Sequence, residues 1–308
     1  MGNPMLSLAL TLMAAAAPAP SSEAPSPEAP NFEAPTSEAK FQQLLLSRDL
    51  AELEQACLDP LIANSIRRKQ SLRDRLLVLH PVPTTFELVQ SHAQALLSCG
   101  SPDGAGVVLN RYSPAAGEER SNWLLTRWQA ADAGLDHRQA ALALRRLVDG
   151  DLPALDRISL LGQRNALDQL AEHEAAQGRS SVAAAVLLSG QLDSTLGARR
   201  LAKAAGWLGA AEIEEADQLL ETALDLAAAS QAWGLAMELL QIQLDLQLAA
   251  GRDGERPRQR MERLALRLDD NYTVQQLRLD WEAGILLRSP RGPGGHAEVR
   301  ESLVAPLP

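Results

Sequence analysis

The sequence predicts an all-α protein, and three observations predict that fold class. Only 3% of the 308 residues are aromatic, while Ala and Leu are abundant, a composition that favours helix over sheet. From residue 41 to about residue 288, apolar residues recur three and four positions apart, the spacing of one helix face. Gly, Pro and capping residues interrupt this spacing at regular intervals, as helix ends do. We therefore expect successive helices and no strand in this region.

Residues 1–17 contain an apolar run that is typical of an export signal. The run covers residues 5–17 (MLSLALTLMAAAA). As a helix it would be about 20 Å long, short of the roughly 30 Å that a membrane span requires. The alanines at the end of the run suit cleavage of a secretory signal. A secretory signal usually has Lys or Arg before its apolar run, however, and none precedes this one. Two interpretations stay open here: a signal segment and a frayed amphiphilic tail.

Residues 18–39 are acidic and rich in proline, and we expect them to form a disordered spacer. Glu recurs every five residues, and Pro follows three of the four Glu-Ala pairs. Pro favours extended polyproline geometry, so residues 18–39 could reach about 70 Å at roughly 3.1 Å per residue. If the apolar run is retained, this spacer would hold the folded region away from a membrane. Residues 289–308, which contain Pro-Arg-Gly-Pro-Gly-Gly, are expected to form a disordered tail.

Residues 40–120 are predicted to form the N-terminal helices of the folded region. The first helix ends at Asp59-Pro60, and a basic helix follows over residues 61–79. Thr84 and Glu87 have the spacing of a capping box that begins the next helix. Further boundaries are expected at Gly100, Ser101-Pro102 and Ser113-Pro114.

Residues 121–288 are predicted to form helical hairpins. Successive pairs begin near residues 122, 154, 194 and 231, which are 32, 40 and 37 residues apart. A repeat of roughly this length is the mark of an α-solenoid, in which each hairpin stacks on the next. The predicted pairs are 122–133 with 136–148, 153–177 with 180–189, 194–208 with 212–229, and 232–250 with 258–268, followed by a last helix over 272–287.

The hairpin pattern resembles that of tetratricopeptide-like repeats. In the first unit Trp123 is followed by Gly134, then by Ala140 and Leu144, and Pro153 closes the unit. The best second helix, EADQLLETALDL, carries small residues that allow close helix packing, namely Ala216 and Ala223 beside Leu220 and Leu224. The resemblance covers about half of the chain. It implies a helical-hairpin solenoid, a fold that suits a scaffold holding a protein partner on its concave face.

Charge and motifs argue against several activities. The formal net charge is −10, whereas duplex nucleic-acid binders usually carry a basic surplus, so we expect no nucleic-acid partner. We find no phosphate loop, dinucleotide fingerprint or nucleophile elbow. His173 and Glu174 begin a near match to a zinc-protease motif, but Gln177 stands where the second His is needed. We therefore predict no enzyme activity, catalytic residue, cofactor or metal, and we expect Glu172 and Glu174 to be surface carboxylates.

The two cysteines, Cys57 and Cys99, are too few for a disulfide framework or a zinc site. Cys57 continues an apolar helix stripe, so a buried apolar role is one interpretation. A bond between Cys57 and Cys99 is the other, and it applies if the protein is exported.

Candidate partner-binding residues come from two arginine pairs and one polar helix face. The arginine pairs would form local basic ridges, and the polar face belongs to the helix over residues 232–250. The candidates are Arg145, Arg146, Arg199, Arg200, Gln241 and Asp245.

The sequence thus predicts a non-catalytic protein-interaction scaffold or assembly factor with a protein partner. It would be exported, to the periplasm or an equivalent compartment, or tethered to a membrane through the N-terminal apolar run. Two alternatives stay open. One is a helical enzyme or accessory subunit of the cell envelope whose site assembles from distant residues. The other is a cytoplasmic helical adaptor.

Overall fold

The computed structural model describes residues 37–283, with side chains described for residues 37–278. Within this range the chain forms fifteen α-helices, three short 3-10 helices and no strand. The all-α prediction is therefore confirmed. The predicted export segment, nearly all of the predicted spacer and the predicted C-terminal tail lie outside the described residues.

The described residues divide into two units, residues 37–43 and residues 44–283, and each candidate site lies in the second unit. The helices are α1 (Ser37–Leu45), α2 (Leu50–Leu58), α3 (Pro60–Ala63), α4 (Ile66–Val78), α5 (Phe86–Ser98), α6 (Pro102–Leu109), α7 (Glu118–Ala133), α8 (His137–Leu147), α9 (Ala166–Ala176), α10 (Ser180–Leu188), α11 (Thr195–Leu208), α12 (Ile213–Ala229), α13 (Trp233–Ala249), α14 (Glu255–Arg267) and α15 (Asn271–Ala283).

Four boundaries in the N-terminal region differ from the prediction. The first helix, predicted to continue to Asp59, is divided into α1 and α2 by residues 46–49. The basic helix predicted over residues 61–79 is divided into α3 and α4, because the Ser65 side chain caps the start of α4. α5 is capped by Thr85 rather than by Thr84, one residue later than the predicted capping box. The helix expected at Ser113-Pro114 begins later, as α7, after a glycine with a φ of 98°.

The single helix predicted over residues 153–177 is wrong. The chain instead forms a 3-10 helix (Leu152–Arg157), an irregular segment and then α9. Within the irregular segment, Gly162 has a φ of 75°, which a right-handed helix does not allow. The Asn165 side chain accepts hydrogen bonds from two N–H groups at the start of α9 and donates to the carboxylate of Asp156. Local side-chain bonds thus replace helical ones, and we call residues 158–165 the pre-α9 loop.

The helices pack mainly in chain order. From α5 to α15, each helix packs against the next one along the chain. The predicted hairpin partners, such as α7 with α8 and α11 with α12, are therefore in contact. Contacts also join helices two apart, α5 with α7 and α11 with α13. This order brings the first helices of some successive hairpins side by side.

Two apolar cores lie between α7 and α14. The first surrounds Trp128 and the second extends from α11 to α14. Each fully buried Leu contributes about 1.5–3 kcal/mol to the free energy of unfolding. Small residues let the backbones of four consecutive helices approach closely, and all four are buried: Ala140, Ala171, Ala184 and Ala204.

Helix α13 is buried on a broad face. Leu239 and Leu244 are buried, but Leu248 near the end of the helix is exposed. Two glutamines are buried among the leucines instead. The Gln243 side chain donates to Asp217 and Glu221 of α12 at 2.9 and 2.8 Å, and Gln247 also donates to Asp217. Carboxylates on α12 thus satisfy the amide N–H groups of α13.

Cys57 and Cys99 form a disulfide bond that joins α2 to the end of α5. Their Cα atoms are 5.0 Å apart, and both residues are buried. Both interpretations of the cysteines therefore hold in part, because Cys57 occupies a buried helix face and is also bonded to Cys99. The bond links residues 42 positions apart in the chain.

Candidate functional site

Arg200 lies in the protein interior and cannot form part of a basic ridge. Its side chain is 3% exposed. The guanidinium group donates to both carboxylate oxygens of Asp156, at 2.6 and 2.9 Å, and to Asp168 at 2.8 Å. This bonding to Arg200 lowers the pKa of Asp156 to about 2. Arg200 therefore holds α11 against α9 and is unavailable to a partner.

Three of the predicted partner residues lie on one exposed face of α11 and α13. The Arg199 side chain is 62% exposed and lies 3.4 Å from Glu238 of α13. Gln241 and Asp245 follow Glu238 by about one and two turns and share its exposed side. The Gln241 amide donates to Asp245 at 2.8 Å. These residues pair mainly with one another, as solvated surface residues commonly do.

Arg145 belongs to a charge cluster, centred on the buried Glu174, that the sequence did not predict. Glu174, expected at the surface, is only 1% exposed. Its Oε1 accepts hydrogen bonds from Arg145 at 2.8 and 3.0 Å, and its Oε2 accepts from Arg179 at 2.6 Å. Because the three residues come from α8, α9 and the start of α10, no local pattern in the sequence joins them. The neighbouring Arg146 is exposed and stands outside this cluster.

A groove of about 400 Å³ opens beside this cluster, between α8 and α10. Arg138 stands seven residues before Arg145, so both lie on the same side of α8. Leu142 and Val182 provide partly exposed apolar surface in the groove. The lining of this arginine groove is Arg138, Ala141, Leu142, Arg145, Glu174, Arg179 and Val182.

His173 and Gln177, from the near match to a zinc-protease motif, form hydrogen bonds within the fold. His173 is buried, and its Nε2 accepts a hydrogen bond from Trp128 Nε1 at 3.2 Å. Its Nδ1 therefore carries the proton and donates to His137 Nδ1 at 3.1 Å. Gln177 donates to the carbonyl groups of His173 and His137. Burial lowers the pKa of His173 below its ordinary 6.5, and among the described residues no group of His, Cys, Asp or Glu could hold a metal ion.

A larger cleft of about 560 Å³ lies between α5, α7 and the pre-α9 loop. We call it the amide cleft, because four side-chain amides line it beside leucines of α7 and the loop. None of its lining residues is charged, although 22% of the chain is. The lining is Gln90, Asn122, Leu125, Thr126, Trp128, Gln129, Ser159, Leu160, Leu161, Gly162 and Gln163.

The four amides of this cleft have no hydrogen-bond partner within the described part of the chain. Elsewhere the amide N–H groups of buried glutamines donate to carboxylates, as Gln169 and Gln247 illustrate. Asn122 and Gln129 are half-buried, so their amides face the cleft with limited access to water. A side-chain amide offers one acceptor and two donors, and so matches the main-chain groups of a peptide. The cleft is therefore chemically suited to an uncharged, extended polypeptide segment.

Trp128 does not offer an aromatic surface to this cleft. The residue is 2% exposed, and the Arg164 guanidinium lies 5.1 Å from the centre of its ring. Carbohydrate recognition commonly uses an exposed aromatic face, which Trp128 cannot supply here. The apolar contacts come instead from Leu125, Leu160 and Leu161.

Sequence reasoning missed the amide cleft because three separate segments form it. Gln90 belongs to α5, Asn122 and Gln129 belong to α7, and Gln163 belongs to the loop that was predicted to be helical. The one local signal is Gly162, whose φ of 75° breaks the predicted helix.

No protein-family model matches this chain, and no curated protein matches it. Within residues 37–283, no helix is long and apolar enough to span a membrane.

Proposed function

We propose that this chain is a non-catalytic scaffold or assembly factor that binds a protein partner. Its helices from residue 40 to residue 288 would form a solenoid of tetratricopeptide-like hairpins. The packing of each helix on the next supports this, as do the contacts of α5 with α7 and of α11 with α13. In a hairpin solenoid, a row of first helices lines an extended concave surface on which partners bind.

The observation that carries the proposal is the amide cleft between α5 and α7. A partner segment in extended conformation would pair its main-chain groups with Asn122 and Gln129, which have no partner within the described residues. Leu125 and Leu161 would contact an apolar side chain of that segment. The volume of about 560 Å³ falls in the range of about 300–1,000 Å³ that is usual for binding pockets.

The disulfide bond supports an exported location. Disulfide bonds form and persist in oxidising compartments and are rare in the cytosol. Cys57 and Cys99 are placed to form one, so we propose that the folded region functions in the periplasm or an equivalent compartment. Residues 5–17 would direct this export or, if retained, would tether the chain to a membrane.

The test is affinity purification of the tagged chain from native cells, with mass spectrometry of the bound proteins. Leu161→Glu places a charge in the cleft at a position that is 61% exposed, so the fold should tolerate it. Leu266→Glu is the matched control, because Leu266 is 52% exposed on α14 and does not line the cleft. We expect a stoichiometric partner that remains with the control and is reduced about tenfold by Leu161→Glu.

Two results would argue against this function. The absence of a specific partner in repeated purifications would favour the helical-enzyme alternative. If the Leu161→Glu variant and the Leu266→Glu variant recover equal amounts of the partner, the amide cleft is excluded as the binding site. Circular dichroism of both variants establishes that each is folded.

A further inference from the structure

We propose that the arginine groove between α8 and α10 is a second binding site, one that accepts an acidic segment of a protein partner. The segment would present a carboxylate side chain beside an apolar one. This site is separate from the amide cleft, since the two share no lining residue. The proposal therefore holds or fails independently of the cleft.

The charge of the groove is opposite to that of the whole chain. Three arginines and one glutamate line it, a formal charge of 3 − 1 = +2, while the chain carries −10. Arg138 is exposed and forms no ion pair within the described residues. A positively charged concave surface on a negatively charged protein attracts acidic ligands selectively, because field lines concentrate in a cleft.

Glu174 orients two of the arginines towards an incoming anion. Arg145 binds the Glu174 carboxylate through its Nε and Nη2 atoms, and Arg179 binds the same carboxylate through its own Nε and Nη2 atoms. Each guanidinium has five N–H donors, so each keeps donors for another acceptor. The side chains of Arg145 and Arg179 are 36% and 47% exposed, so these donors remain accessible. Holding an arginine in place in advance reduces the entropy lost when it binds a carboxylate.

The apolar lining favours a peptide over a small anion. Leu142 and Val182 line the groove together with the arginines, and both are partly exposed. Inorganic phosphate would bind the guanidinium groups and leave this surface in water. A Glu or Asp followed by an apolar residue would use both features, because the burial of its apolar side chain adds to the charged hydrogen bonds.

The experiment measures fluorescence anisotropy of two labelled decapeptides with the purified full chain. One peptide alternates Glu and Leu, and the other alternates Gln and Leu. We expect the Glu peptide to bind at least about tenfold more tightly, and the difference to shrink at high salt, which screens exposed charges. Equal binding of the two peptides would overturn the proposal.

Two arginine variants locate the binding. Arg138→Gln removes a lining charge that has no partner in the described structure, so folding should be unaffected, and we expect about tenfold weaker binding of the Glu peptide. Arg146→Gln is the control, because Arg146 is on the same helix but does not line the groove. Equal losses in the two variants would mean a general charge effect and would refute the site. Displacement of the peptide by inorganic phosphate at equal concentration would show a simple anion site and would also refute it.

Discussion

Two adjacent arginines show how strongly the fold decides the role of a single residue. Arg199 and Arg200 have the same charge and are neighbours on α11, yet one is 62% exposed and the other 3%. Successive residues on a helix point about 100° apart, so one of a pair can face the core while the other faces water. A buried guanidinium is tolerated only where carboxylates bind it, as Asp156 and Asp168 do here.

We expect Arg200→Met to destabilise the protein strongly. The substitution leaves Asp156 without the guanidinium that binds both of its oxygens, and breaking a buried pair costs about 3–5 kcal/mol. Arg199→Met removes an exposed pair with Glu238 and should cost less than about 1 kcal/mol. Urea denaturation of both variants measures the difference. Equal losses would mean that the interior pair contributes no more than the surface pair.

Because two histidines are buried, we predict that the free energy of unfolding decreases in mild acid. Burial lowers the pKa of His92 and of His173 below the ordinary 6.5. Between the folded pKa and 6.5 the unfolded chain binds more protons than the native chain, so the free energy of unfolding decreases as pH falls through this window. Asp156 affects stability at lower pH, because its pKa is lowered from 3.8 to about 2 in the folded protein. Its contribution to the free energy of unfolding is lost only as the pH falls through that range.

Urea denaturation between about pH 8 and about pH 5 tests the histidine effect. We expect His173→Gln to reduce the pH dependence relative to the unsubstituted chain, even if its stability at neutral pH is lower. His92→Gln should reduce the pH dependence as well, because His92 is the other buried histidine whose pKa is lowered by burial. An unchanged pH dependence in His173→Gln would show that His173 does not cause it.

At the scale of helices, capping residues and glycines predicted most elements correctly. The starts of α11 and α13 agree with the predicted starts within one residue. The prediction failed at residues 153–177, where Asn165 caps α9 and bonds to Asp156. The apolar spacing continues through this segment, but the local side-chain bonds of Asn165 replace helical ones and hold the segment in a loop.

Helix α11 allows a direct test of close packing. A Cβ at Gly197 would lie 2.5 Å from the Leu192 Cα, whereas a Cβ at Gly206 would meet no atom within 4 Å. We expect Gly197→Ala to destabilise the protein by about 1–3 kcal/mol through overpacking. Gly206→Ala should stabilise it by up to about 1 kcal/mol, because Ala is the better helix former. Thermal or urea denaturation checks both values, and destabilisation by both would contradict the packing argument.

At the scale of the whole molecule, the disulfide bond connects the fold to its proposed compartment. Cys57 and Cys99 are buried and 42 residues apart. Closing a loop of that length restricts the unfolded chain and is worth about 4 kcal/mol in the chain-entropy model. The bond is therefore expected to add most to stability where it can stay oxidised.

We expect the double variant Cys57→Ala, Cys99→Ala to lose about 2–4 kcal/mol in the free energy of unfolding. Urea denaturation of the oxidised chain and of the variant measures this loss. Acid quenching of intact cells, followed by alkylation in denaturant with and without prior reduction, tests the location separately, because both cysteines are buried in the folded protein. Unreactive cysteines that become reactive only after reduction would support export, whereas a free thiol pair would support the cytoplasmic adaptor.

The sequence by itself determined the all-α class and most helix ends, because apolar spacing, caps and glycines act over a few residues. It also singled out Arg145 and Arg199 without revealing their partners. Only the tertiary structure decided that Arg200 and Glu174 are buried and that Cys57 meets Cys99. It alone brought the amides of α5, α7 and the pre-α9 loop into one cleft. The reason is that burial and contacts depend on how helices that are far apart in the chain pack together. A pattern that spans only a few residues does not determine that packing.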